Sequence, residues 1–181
     1  MTHDAGAAIE LLKQGNARFV ADTPRPRYLP TARSGLLEGQ RPWAVVVGCS
    51  DSRVPVEAIF DVGPGELFVV RSAGHVISEA GFVSVRYAVE ELGTRAVVVL
   101  GHEGCGAVMA ALGGDAPAWL APITAHIKVA ENVSPTQAVD DHVRESVAEV
   151  RDWLAAELPG EQPLVTGAAY QLKSGEVHWL D

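Results

Sequence analysis

Two apolar runs, each ending in a short polar motif, constrain the fold of this chain more than any other feature. Trp43-Ala44-Val45-Val46-Val47 leads through Gly48 into Cys49-Ser50-Asp51-Ser52-Arg53. Ala96-Val97-Val98-Val99-Leu100 leads through Gly101 into His102-Glu103-Gly104-Cys105-Gly106. Runs of Val and Leu without a polar residue at every second place mark strands buried on both faces of a parallel sheet. If both strands lie in one sheet, their carboxyl ends share an edge, where ligands of such sheets bind. Cys49, His102 and Cys105 then converge on one point.

Two thiols and one imidazole, with no evident fourth donor, is the ligand count of a catalytic zinc. Zinc accepts thiolate sulfur and imidazole nitrogen in tetrahedral geometry, leaving the fourth place to water or to a nearby carboxylate, for which Asp51 is the candidate. Water on zinc has its pKa lowered to roughly 7. Asp51 held ionised by the planar fork of Arg53 is then placed to accept a proton in a hydrogen bond and orient the oxygen for attack. Taken singly, His-x-x-Cys reads as well as a buried thiol beside a capping histidine, and Asp51–Arg53 as an ion pair across a turn. The conjunction carries the reading: both motifs follow strands, and together they use both cysteines of the chain.

The surrounding pattern alternates strand and helix. Asp4 caps a first helix with apolar positions Ala8, Ile9, Leu12 and Phe19, which Gly15-Asn16 interrupts, allowing two shorter pieces. A non-repetitive Pro/Arg stretch runs to about residue 33, and a short helix ends near Gly39. Strands are expected at 43–48, 67–71 and 95–100, with Gly63-Pro64-Gly65 as a turn. Helices are expected from Gly81 to Leu92, from Gly106 to Leu112, and from Ser134, with Gln137 completing a capping box and the stripe Val139, Val143, Val147, Val150, Leu154. Segments 163–170 and 176–180 form strands joined by the Lys173-Ser174-Gly175 turn. The expected fold is α/β: a central, mainly parallel β-sheet flanked by helices, with an antiparallel C-terminal edge hairpin and an N-terminal helical arm. At 181 residues it is one domain, with an arm over 1–35, a metal-binding core over 40–157 and a hairpin over 163–181.

Charge and composition exclude several functions. The net charge of −9, against one weakly basic stretch at 24–33, argues against a nucleic-acid partner. No signal peptide and no apolar run long enough for a membrane span are visible, so a cytoplasmic protein with no membrane partner is expected. In that compartment paired cysteines are metal ligands or catalytic groups more often than a structural disulfide.

The motifs together resemble those of the β-class carbonic anhydrases. The resemblance spans nearly the whole chain: Gly15-Asn16-Ala17-Arg18-Phe19, the Cys49–Arg53 motif, Phe68-Val69-Val70-Arg71, Gly101 to Gly106, and Ala169-Tyr170-Gln171-Leu172. It implies one zinc per chain held by Cys49, His102 and Cys105, an Asp51–Arg53 dyad supporting zinc-bound hydroxide, and reversible hydration of CO2 to bicarbonate and a proton. It further implies that Gln40, Phe68 and Tyr87, as in the plant-like subtype, bind substrate, and that the cleft forms at the interface of a homodimer or higher homo-oligomer. Gly106 is expected to offer its backbone N–H near the substrate. The other subtype has a regulatory bicarbonate pocket around a tryptophan three residues before the first zinc cysteine. Here that place is Val46, with Trp43 expected on the opposite strand face, so bicarbonate regulation is not expected. In the family Asp51 can also swing onto zinc at lower pH and close the site.

His75 is a candidate proton shuttle at the cleft mouth, beside the plainer reading of a structural loop histidine; His142 reads as solvated or structural. Competing functions are hydrolysis of another heterocumulene by the same zinc, a zinc-stabilised binding domain, for which Asp51 and Arg53 would be superfluous, and a thiol-nucleophile enzyme using Cys49 and His102 free of metal.

Overall fold

A computed structural model describes residues 4–26, 34–130 and 132–180 of the chain. Five strands, β1 (Ala44–Cys49), β2 (Leu67–Ser72), β3 (Ala96–His102), β4 (Leu164–Tyr170) and β5 (Val177–Leu180), form one sheet in the order β2-β1-β3-β4-β5. The first four are parallel and β5 is antiparallel to β4, as the sequence pattern predicts. β1 and β3 occupy the interior of the sheet and are buried at every residue, which is why they carry no polar alternation.

Alternate residues of these strands feed two cores. Ala44, Val46, Val98 and Leu100 pack with Ala8 and Leu12 of helix α1 (Ala5–Val20) and with Ile59 of the short helix α2 (Val56–Ile59). Val45, Val47, Val97 and Val99 pack against α3 (Glu79–Glu90) and the helix over Pro135–Glu157. Between those two helices in sequence lie α4 (Gly106–Gly113) and α5 (Ala121–Thr124), so the long helix is α6. Ser78 and Ser134 cap α3 and α6, their Oγ atoms accepting from the amides of Gly81 at 3.3 Å and Gln137 at 3.1 Å.

Four expectations are corrected. α1 is continuous through Gly15-Asn16, because these residues dock the helix rather than break it. A Cβ at Gly15 would sit 1.8 Å from the carbonyl oxygen of Phe60. Asn16 donates to the carbonyls of Ile59 at 3.2 Å and Gly175 at 2.9 Å and accepts from the Val177 amide at 2.9 Å. Gln137 does not complete a capping box; its Nε2 donates forward to Asp141 at 2.7 Å. Trp43 precedes β1 and packs on the same core as Val46, so two-residue alternation does not carry it to the opposite face. The short helix ends at Ser34 rather than near Gly39, residues 35–38 forming a turn; its earlier part, and most of the Pro/Arg stretch, fall outside the described residues. Among the described residues no helix is long and apolar enough to cross a membrane.

Candidate metal centre

Parallel pairing places Gly48 beside Leu100, so Cys49 and His102 leave the sheet at the same edge. Cys105 returns to that edge as the N-cap of α4. The ligating atoms of Cys49, His102 and Cys105 all lie within 4.8 Å of one another, and all three residues are buried.

The protonation pattern suits a cation. His102 Nδ1 lies 2.9 Å from the Glu103 carbonyl oxygen; a carbonyl only accepts, so Nδ1 carries the proton and Nε2 presents a lone pair. Nε2 is buried without a hydrogen-bond partner. A polar atom so placed is costly unless something binds it, and around it stand the two thiols, within 4.8 Å, and the Asp51 carboxylate. The Cys49 thiol is drawn far down from its ordinary value, first by the hydrogen bond with Cys105, then by His102 and the amides of Asp51 and Gly74, against desolvation. Cys105 is pushed up, first by Cys49 and then by burial. Each thiol thus acts on the other, Cys49 favoured as the thiolate and Cys105 as the thiol, and a divalent cation would favour the thiolate of both. Two soft sulfurs and one neutral imidazole fit zinc.

Asp51 and Arg53 stand at the rim. Arg53 Nε and Nη2 donate to Asp51 Oδ1 and Oδ2 at 3.0 and 2.7 Å, and the Arg53 amide donates to Oδ1 at 2.9 Å. These bonds hold the Asp51 carboxyl well below the usual carboxylate range. Asp51 Oδ2 lies 3.9 Å from His102 Nε2, beside the ligand set, and Arg53 Nη2 also reaches the Gly104 carbonyl at 3.5 Å, tying the two motifs together. Gly106 opens α4, and the space where its Cβ would be is empty.

Sequence reasoning missed two residues. Arg71 donates from Nε to the Cys49 carbonyl at 2.8 Å and from Nη2 to the Asp51 carbonyl at 2.7 Å, fixing the loop that joins Cys49 to Asp51. An arginine closing an apolar strand in register with Gly48 was the available signal. Gly74, in the left-handed region at φ 64, donates its amide to Cys49 Sγ at 3.3 Å.

Gln40, Phe68 and Tyr87 form a second group. The Phe68 and Tyr87 rings are 6.2 Å apart, and Gln40 and Tyr87 line an open cavity of about 520 Å³ with Leu36 and Leu92. Phe68 pairs with Val45, four residues and about 13 Å along the strand from Cys49. Within one chain Phe68 is thus set apart from Cys49 along the strands. His75 is not at a cleft mouth; it is wholly buried, its ring stacked on His142 at 4.3 Å.

Comparison with known proteins agrees with this geometry. The carbonic anhydrase family model matches residues 44–177. Carbonic anhydrase 2 of Mycobacterium tuberculosis is 42% identical over 186 residues, covering 93% of this chain and 89% of its own. A carbonic anhydrase of Mycolicibacterium smegmatis is 40% identical, covering 94% and 91%. Among solved structures, a β-carbonic anhydrase of Aspergillus fumigatus superposes with a TM-score of 0.68 at 27% identity, covering 97% of this chain and 90% of that one. A Coccomyxa β-carbonic anhydrase in complex with acetazolamide gives 0.68 at 25%, covering 99% and 87%. The chain belongs to the carbonic anhydrases, and within them to the β class.

Proposed function

We propose that the chain hydrates CO2 reversibly to bicarbonate and a proton, with one zinc ion per chain held by Cys49, His102 and Cys105. The observation that carries this is the buried convergence of Cys49, His102 and Cys105, whose ligating atoms lie within 4.8 Å of one another, with the His102 Nε2 left without a hydrogen-bond partner. Zinc in a three-ligand site acts as a Lewis acid and brings the pKa of water down to about 7.

The remaining chemistry belongs to the chain's own residues. Asp51, an ionised acceptor, takes a hydrogen bond from the attacking water and turns its lone pair toward the carbon. Arg53 keeps that carboxylate ionised and in one orientation through the bidentate contact. The Gly106 amide, at the open start of α4, offers a donor to the oxygen on which charge develops.

CO2 is small and apolar, and an aromatic-walled pocket suits it. Gln40, Phe68 and Tyr87 supply such a wall, yet Phe68 is in register with Val45, about 13 Å along the strand from Cys49 of its own chain, and the Tyr87 ring lies beside Phe68. We therefore place them against the metal centre of a second copy, so that the working unit is at least a homodimer. Val46, at the place of the regulatory subtype's tryptophan, supports the plant-like subtype and the absence of bicarbonate control. The net charge of −9 speaks against a nucleic-acid partner, and two free cysteines fit a reducing cytoplasm.

Metal analysis coupled to activity tests this reading. About one zinc per chain, with CO2 hydration lost on chelation and restored by zinc alone, is expected. Full activity in metal-free protein would refute it, and a metal-free, alkylation-sensitive Cys49 would favour thiol chemistry instead.

A further inference from the structure

Helix α6 buries an apolar stripe that includes Val139, Val143 and Val147, and His142 interrupts that buried surface at 2% exposure. A histidine there is costly: burial penalises it, and its Nδ1 has no hydrogen-bond partner. Its other nitrogen explains the residue type. Nε2 lies 2.9 Å from the Gly74 carbonyl oxygen, and because a carbonyl only accepts, Nε2–H is the donor. Burial lowers the pKa of His142, in keeping with a neutral ring that has one fixed donor.

Gly74 is the residue whose own amide donates to Cys49 Sγ. It holds the left-handed conformation, and a Cβ there would stand 2.9 Å from Ala107 Cβ and 3.1 Å from Ile127 Cδ1. The turn over Ala73–His75 is thus wedged against the start of α4, two residues beyond Cys105. Two side chains tether it: the Ser72 hydroxyl donates to the Val76 carbonyl, and His142 holds the Gly74 carbonyl. His75 lies flat on the His142 ring, 25° from parallel, and keeps it from turning.

We infer that His142 is a positioning residue for the metal ligand Cys49: by anchoring the Gly74 carbonyl from α6, it sets the direction of the Gly74 N–H that stabilises the Cys49 thiolate. It touches neither substrate nor metal. The inference rests on the zinc reading above. Amide donors to a thiolate ligand orient it and tune its basicity, and losing such an outer partner typically costs 10–100-fold in metal affinity.

The test compares His142→Gln, whose side-chain amide reaches about as far as Nε2, with His142→Met, which fills the space without a donor. Zinc affinity is measured by chelator competition, and the thiolate-to-metal charge-transfer band is recorded on cobalt-substituted protein. H142M is expected to bind zinc about 10–100-fold more weakly with a shifted band, and H142Q to stay within about threefold of the parent with the parental band. If H142M does not fold, His142→Asn, whose amide falls short of Gly74, takes its place in the same comparison. Parental affinity in the donor-less variant, or equal loss in H142Q, would overturn the inference. A parent that binds no zinc would instead overturn the metal reading itself.

Discussion

Arg53 holds Asp51 through three hydrogen bonds at once, two from its guanidinium to separate carboxylate oxygens and one from its own backbone amide. A pair only two residues apart in sequence rarely needs a bidentate arginine for stability, and the guanidinium side of this one is half exposed, where an ion pair adds little. Its consequence is chemical: the carboxylate keeps one orientation and one charge state beside the ligand set.

Asp51→Asn should therefore lower kcat/KM for CO2 hydration by about a hundredfold with zinc content unchanged. Arg53→Lys, which cannot make the fork, should lose about tenfold. Because Arg53 depresses the Asp51 pKa, Asp51 stays ionised well below neutrality. The ratio of parent to D51N rates should accordingly be constant between pH 6 and 9. Parental rates in D51N would remove Asp51 from the reaction.

Gly15 supports a prediction about the scaffold. The Phe60 carbonyl oxygen, 1.8 Å from the Gly15 Cβ position, is backbone and cannot swing aside. Gly15→Ala should destabilise the protein by about 3 kcal/mol in urea unfolding, as overpacking does. Gly6, in the first turn of the same helix with nothing nearer than Asp4 Oδ1 at 3.4 Å, is the control. Gly6→Ala should be neutral or stabilising by about 0.5 kcal/mol.

The contrast between these glycines shows where the sequence was legible. β1 and β3 were readable because burial on both faces writes itself into every residue of a strand, and the grouping of Cys49, His102 and Cys105 was readable because their motifs follow those strands directly. Gly15 was not, since the atom it must avoid belongs to Phe60 and nothing local to α1 announces it. Gly74 and His142 were silent for the same reason: each acts through a backbone carbonyl or amide, and the meeting of α6 with the turn after β2 is a fact of tertiary packing; Arg71 showed itself only as an arginine at the end of an apolar strand. Gln40, Phe68 and Tyr87 looked like ordinary core or surface residues until a family resemblance singled them out.

The buried histidines predict a pH dependence of stability. Burial lowers the pKa of both His75 and His142. Above the unfolded value of about 6.5 both states are neutral and stability is complete. As pH falls below that value the unfolded chain takes up protons that the native state refuses, so stability declines toward the lower folded value, by at most about 1.4 kcal/mol per pH unit for each histidine. Urea unfolding of metal-free protein at pH 7.5, 6 and 5 should show this decline. His75→Asn, which tolerates the positive φ at that position, should be less stable overall but show a shallower slope. An unchanged slope would exclude His75 as a source.

The shared cleft predicts complementation. Gln40→Ala combined with Tyr87→Ala should impair hydration while leaving zinc affinity intact, since both residues line a cavity whose walls include none of Cys49, His102 and Cys105. Mixed with D51N and refolded together, it should regain activity, because a mixed dimer contains one site with every wild-type group. No recovery from verified mixed dimers would place both groups in one chain's site.

A three-ligand zinc site with Asp51 at its rim is proposed to hydrate CO2. Stopped-flow CO2 hydration, on protein with about one zinc measured per chain at neutral and at alkaline pH, tests it most directly. A zinc-dependent rate far above the uncatalysed reaction, strongest at alkaline pH, is expected; zinc-loaded protein with no hydration activity at either pH would overturn this reading.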